Sequence, residues 1–127
     1  MKVIFFDLDG TLVAFDGSIP KSAIDGLKAA QKKGNKIAIC TGRSENQIDK
    51  RVRDIGFDAV VSAAGAHVTA DGKTISSRYI PKSEYSKCID MISDDIPVLC
   101  VQTFKNVFIK KGGKEIFKRT MMEIGRA

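Results

Sequence analysis

The sequence predicts an α/β fold built on a parallel sheet. Three observations carry that prediction: short apolar runs at Val3–Phe6, Lys36–Cys40 and Ala59–Ser62, helical apolar spacing in the segments between them, and capping or glycine signals where those segments begin and end. Strands that alternate with helices of ten or more residues form βαβ units, so the three strands run one way and their carboxyl ends share one edge.

Each element has a local reason. Val3–Phe6 is a continuous run of β-formers, as expected of a strand buried on both faces. Pro20 suits the first turn of a helix whose apolar positions are Ala23, Ile24, Leu27 and Ala30, and Gly34 stops it. Lys36–Cys40 (KIAIC) is the second strand. Ser44 with Gln47 three positions on has the capping-box form, and Ile48, Val52 and Ile55 predict one continuous helix ending before Gly56. Ala59–Ser62 is the third strand. Asp71-Gly72 between the β-prone runs of residues 68–75 reads as a hairpin. Beyond Pro81 the pattern changes to helix, hairpin, helix. Tyr85, Cys88, Ile89 and Ile92 mark the first helix, residues 98–104 and 107–111 flank a Lys105-Asn106 turn, and Ile116, Phe117, Met121 and Ile124 stripe the last helix.

Composition narrows the class. A chain of 127 residues with 43% hydrophobic content can bury a core of one domain, or of one domain and part of another. No run reaches the roughly 18 apolar residues of a membrane span, and the N-terminus lacks a secretory signal, so a cytoplasmic protein without a membrane partner is expected. Cys40, Cys88 and Cys100 are odd in number and set among apolar neighbours, which predicts reduced core thiols rather than a disulfide framework or zinc site. The net charge of +6 is spread over the chain with only short clusters such as Lys32-Lys33 and Lys110-Lys111, a solvated basic surface rather than a nucleic-acid footprint. Phe5, Phe6, Phe57, Phe104, Phe108 and Phe117 read as packing residues, Met121-Met122 likewise, and His67, the single histidine, as a hairpin residue rather than a ligand.

The chemistry gathers at the strand ends. In open α/β sheets ligands bind beyond the carboxyl ends of the strands. Asp7 and Asp9 stand at one such end, Thr41-Gly42-Arg43 at the next and Ala63-Ala64-Gly65 at the third. Two carboxylates one residue apart can divide the tasks of attacking an electrophile and handling a proton, and their mutual repulsion calls for a cation. Gly10 permits a tight bend that exposes backbone N–H groups, Thr41 offers a hydroxyl, and Gly42 lets an amide approach an anion. This combination suits phosphate with a hard divalent metal.

The stretch Phe6-Asp7-Leu8-Asp9-Gly10-Thr11-Leu12, together with Cys40-Thr41-Gly42-Arg43, resembles the first two motifs of the haloacid dehalogenase-like phosphohydrolases, in their Cof-type sugar-phosphatase branch. The resemblance runs on through Ala64-Gly65-Ala66, where relatives usually show Asn-Gly-Ala, and touches nearly the whole chain. It implies a partial Rossmann-like core over residues 1–79 and a partial α+β cap over residues 80–127. It further implies that Asp7 is the nucleophile that forms an aspartyl-phosphate, that Asp9 is the acid and base, and that Mg2+ is held by the Asp7 carboxylate and the Asp9 backbone carbonyl. Gly10, Thr41 and the Gly42 amide would surround the phosphoryl oxygens, and Arg43 would touch either substrate or the neighbouring loop. The implied activity is a phosphatase of small phosphorylated metabolites such as sugar phosphates. Relatives continue after the cap with a lysine motif and an acidic Gly-Asp-x-x-Asn-Asp motif that this sequence lacks, and Asp94-Asp95 does not replace them. The chain therefore resembles the first half of such an enzyme. A bare Val3–Phe6 edge is expected, with self-association, a complementing chain or a catalytically incompetent fragment as the corollaries.

Overall fold

The computed structural model describes residues 1–90, 99–103, 106–110 and 112–113. The chain divides into two compact units, Met1–Ser77 and Arg78–Ala127.

The first unit is a five-stranded sheet. Its strands are β1 (Val3–Phe6), β2 (Lys36–Cys40), β3 (Ala59–Ser62), β4 (His67–Ala70) and β5 (Lys73–Ser77), hydrogen-bonded in that order. β1, β2 and β3 are parallel, and β4 and β5 add an antiparallel hairpin beside β3. The predicted strands therefore form, with the predicted direction. Helix α1 (Lys21–Lys32) joins β1 to β2. Ile37 and Ile39 of β2 pack with Leu27 of α1, and with Leu8, Leu12, Ile48, Val52 and Ile55, in one buried cluster, which Ala23, Ile24 and Ala30 border. Two successive right-handed crossovers that step in the same direction place their connections on the same face. The core thus lies on one side of the sheet.

The second crossover departs from the expected continuous helix. A single 3-10 turn, Glu45–Gln47, ends in extended backbone at Ile48, and a short helix α2 (Lys50–Arg53) starts afresh. Asp49 causes the restart, because its side chain accepts the Arg51 N–H at 2.8 Å and so acts as a new N-cap. The apolar stripe survives the break, since Ile48, Val52 and Ile55 all remain buried. The capping-box residue does form its bond: Gln47 Oε1 accepts the Ser44 N–H at 3.0 Å.

At the amino edge of the sheet, Asp58 joins three elements. Its carboxylate accepts from Lys36 Nζ (2.6 Å), from the Ile37 N–H (3.0 Å) and from Gln31 Nε2 of α1 (3.2 Å). Chiefly the Lys36 bond, and then the Ile37 amide, pull the Asp58 carboxyl down to about 2, and the same contact raises Lys36. The hairpin turn follows the residue signal, with Asp71 and Gly72 both at positive φ (47° and 73°) as a type I′ turn requires.

Among the described residues β1 has a strand neighbour on one side only. The Lys36 N–H donates to Lys2 O, so even-numbered residues turn their backbone groups to β2, and Val3 and Phe5 turn theirs to the open side. Their side chains are exposed as well (52% and 60%), so the strand expected to be buried on both faces is buried on one. The cysteines also differ from expectation. They are free, but Cys40 and Cys88 are exposed and Cys100 is half-buried, so they are not core thiols.

In the second unit, helix α3 (Lys82–Asp90) and the antiparallel pair β6 (Cys100–Gln102) and β7 (Val107–Ile109) correspond to the expected helix and hairpin. Thr103 closes the turn, its N–H donating to Asn106 O and its hydroxyl oxygen accepting the Asn106 N–H. The final predicted helix around Ile116 to Ile124, and Asp94-Asp95, lie outside the described residues. Among the described residues no helix is long and apolar enough to cross a membrane.

Candidate functional site

Alternation at the end of β1 sets the site. Leu8 is fully buried and Leu12 nearly so, which forces Asp7 and Asp9, on either side of Leu8, outward into solvent. The buried leucine also organises the loop: its carbonyl accepts the N–H groups of Thr11, Leu12 and Val13 (3.3, 3.1 and 2.8 Å). Gly10 takes φ +77°, a left-handed conformation that favours glycine, and donates its N–H to Val13 O at 2.9 Å. The Gly10 amide is therefore already engaged. What Gly10 supplies is the bend, while the Asp9 N–H has no acceptor among the described residues.

Strand register brings the second motif alongside. Phe6 pairs with Ile39, so the chain continuing from β1 passes Asp7 beside the end of β2, where Thr41 follows Cys40. Thr41 is buried, its amide donates to Val61 O (2.9 Å), and its hydroxyl oxygen accepts the Arg43 N–H (3.2 Å). The hydroxyl hydrogen remains available, and the Gly42 N–H meets no described acceptor. The third strand end closes the arrangement, since the Ala63 N–H donates to Arg43 O (2.7 Å) and the Ala64 N–H to Thr41 O (3.1 Å). Asp7, Asp9, Gly10, Thr41, Gly42 and Arg43 thus share one edge of the sheet.

Arg43 contacts the neighbouring loop. Its Nε donates to Asp9 Oδ2 at 2.9 Å and its Nη2 to Asp9 Oδ1 at 2.5 Å, while Nη1 donates to Gln47 O at 3.2 Å. Both oxygens of Asp9 are engaged by one guanidinium. The Asp7 carboxylate, by contrast, is exposed and makes no hydrogen bond or ion pair with a described residue. Asp7 and the carbonyl of Asp9, which accepts no described hydrogen bond, are two oxygen donors of the kind Mg2+ takes, and Mg2+ ordinarily completes its shell with waters and substrate phosphate. Among the described residues no group of three or more His, Cys, Asp or Glu could hold a metal by itself.

Two contacts near this edge carry no local sequence signal. His67 Nε2 lies 3.2 Å from Glu45 Oε2, joining β4 to the loop that follows Arg43 across 22 residues. Phe15 rests its ring against Gly10, where an added Cβ would meet ring carbons at 3.3 Å.

A family model described as haloacid dehalogenase-like hydrolase matches residues 4–125. A Streptococcus pyogenes serotype M6 protein, whose name pairs a phosphatase with a peptidyl-prolyl cis-trans isomerase, is 38% identical over 76 residues, covering 59% of this chain and 16% of that protein. Among solved structures, the subclass IIB sugar phosphatase BT4131 superposes with a TM-score of 0.75 at 32% identity, over 95% of this chain and 49% of that one. A haloacid dehalogenase-like hydrolase from Bacillus subtilis shares the fold with a TM-score of 0.80 at 24% identity, over 94% of this chain and 42% of that one. The chain spans less than half the length of each of these relatives. A match over almost the full chain, joined to two carboxylates and a Thr-Gly-Arg turn on adjacent parallel strand ends, makes this chain a member of the haloacid dehalogenase-like hydrolases.

Proposed function

We propose that the chain carries the phosphoryl-transfer half-site of a phosphatase that acts on small phosphorylated metabolites, with sugar phosphates the favoured class. The observation that carries this reading is the pairing of an unengaged carboxylate, Asp7, with the Thr41 hydroxyl and Gly42 amide at the ends of adjacent parallel strands. In the first step an Asp7 oxygen bonds to phosphorus as the ester P–O bond breaks, and Asp9, with one oxygen turned away from Arg43 and protonated from solvent, gives that proton to the departing alcohol. In the second step Asp9 takes a proton from water, whose oxygen attacks the aspartyl-phosphate and returns Asp7 as a carboxylate. Thr41 and the Gly42 amide hold phosphoryl oxygens, and Gly10 shapes the loop that presents the Asp9 amide to the same oxygens. Arg43 is a positioning residue that acts through Asp9. The Asp7 carboxylate and Asp9 carbonyl would hold Mg2+, which supplies charge neutralisation for the phosphoryl group when bound. Residues 80–127 serve as the partial cap in this reading.

One observation favours a second reading, a fold-retaining chain that binds phosphate or a complementing chain without turnover. The described residues offer Mg2+ a single unengaged carboxylate at the site and no acidic cluster to support it. Phosphate release from p-nitrophenyl phosphate in excess Mg2+, compared with Asp7→Asn, separates the readings. Turnover that vanishes in Asp7→Asn supports the phosphatase. Equal background in both proteins supports the binding chain.

A further inference from the structure

The turn that follows the carboxylate loop holds an aromatic side chain that the proposed chemistry leaves without a task. The Ala14 N–H donates to Ser18 O (2.9 Å), the Gly17 N–H to Ala14 O (2.8 Å) and the Ser18 N–H to Asp16 Oδ1 (2.8 Å), so residues 14–18 form a tight turn that satisfies its own backbone. Phe15 projects from this turn onto Gly10, where an added Cβ would meet the ring carbons at 3.3 Å. The ring belongs to no part of the buried core cluster and stays 62% exposed.

Its location has a chemical consequence. Asp9 protonates the leaving oxygen in the proposed reaction, so the leaving group lies on the Asp9 side of the phosphate. Gly10 directly follows Asp9, and Phe15 covers Gly10. An apolar ring face beside a departing alcohol recognises ring or hydrocarbon surface and gives nothing to a small polar group. We propose that Phe15 forms the apolar wall of the leaving-group subsite and favours phosphate monoesters whose alcohol presents a ring or other flat apolar face over short acyclic ones. This inference rests on the phosphatase reading of the site.

Binding of two non-hydrolysable probes separates the inference from that reading without any need for turnover. The full chain in excess Mg2+ is titrated with methylphosphonate and with phenylphosphonate by NMR, in wild type, Phe15→Ala and Phe15→Leu. Wild type is expected to bind phenylphosphonate about tenfold more tightly, the range an apolar pocket contact provides. Phe15→Ala should erase that preference with methylphosphonate affinity unchanged, and Phe15→Leu should keep part of it. Equal affinities in wild type, or a preference that survives in Phe15→Ala, overturns the role of Phe15 while methylphosphonate binding still supports the anion site. Failure of wild type to bind either probe overturns the anion site and the Phe15 subsite together. Because Phe15 is outside the core, both variants should give the dispersed wild-type spectrum, which the same measurement reports.

Discussion

Arg43 grips Asp9 with two parallel N–H donors, one to each carboxylate oxygen, and fixes its own third nitrogen on Gln47 O. A guanidinium fork makes this contact and an ammonium cannot, so Arg43→Lys should not substitute for it. The pair is partly solvent-exposed (35% and 55%), which limits its worth. Arg43→Ala is expected to lower stability by about 0.5–1 kcal/mol, with the loss shrinking in about 1 M salt. Urea denaturation at low and high salt measures both.

Thr41 tests the anion site. Thr41→Val keeps the volume but removes the hydroxyl that accepts the Arg43 N–H. The expected result is a stability loss of about 1 kcal/mol and, for whatever phosphatase turnover the chain has, a fall of about a hundredfold. Thermal melting and phosphate release measure the two effects. Unchanged turnover and unchanged methylphosphonate binding would remove Thr41 from the site.

Asp58 sets an acid limit on stability. Its folded carboxyl lies near 2 and its ordinary value is 3.8, so the unfolded chain binds the proton more readily. The contribution is present above about pH 4 and is lost as pH falls through about 2. After allowance for partial solvent screening it amounts to about 1–2 kcal/mol, which Asp58→Asn should remove. Wild-type and Asp58→Asn melting temperatures should therefore converge as the pH is lowered across that window. For Lys36 the sign reverses: its raised value means stability that is present below the ordinary lysine value and lost as pH rises past it.

Ala64 occupies φ +53°, ψ +37°, a left-handed conformation that is unfavourable for alanine and tolerated by asparagine. Ala64→Asn is expected to raise stability by a few tenths to about 1 kcal/mol. A lower melting temperature than wild type would show that the Ala64 methyl makes a compensating contact.

The bare β1 edge leads to a solution property. Val3 and Phe5 present exposed apolar side chains and backbone groups that no described strand pairs, a template for another strand. Concentration-dependent association is expected in sedimentation experiments, and Phe5→Lys should suppress it. A monodisperse wild-type monomer at high concentration would mean that this edge is covered.

Much of this protein follows from local pattern alone. The three parallel strands, α1, the Asp71-Gly72 turn and the placement of Asp7, Asp9, Thr41 and Gly42 at strand ends all arise from apolar runs, helical spacing and glycine positions that act over a few residues. Other features needed the folded chain. The break between Glu45–Gln47 and α2 turned on a competition between a continuous apolar stripe and the short-range cap of Asp49, which periodicity does not weigh. The contact of Arg43 with Asp9, 34 residues away, depends on the β1 to β2 register that sets the two side by side. The Asp58 to Lys36 pair, the His67 to Glu45 contact and the Phe15 ring on Gly10 likewise depend on through-space juxtaposition. Residue type and spacing determine which chemical groups the chain owns and which edge they occupy. Strand register and packing decide which of those groups neutralise one another and which, like the Asp7 carboxylate, are left free to react.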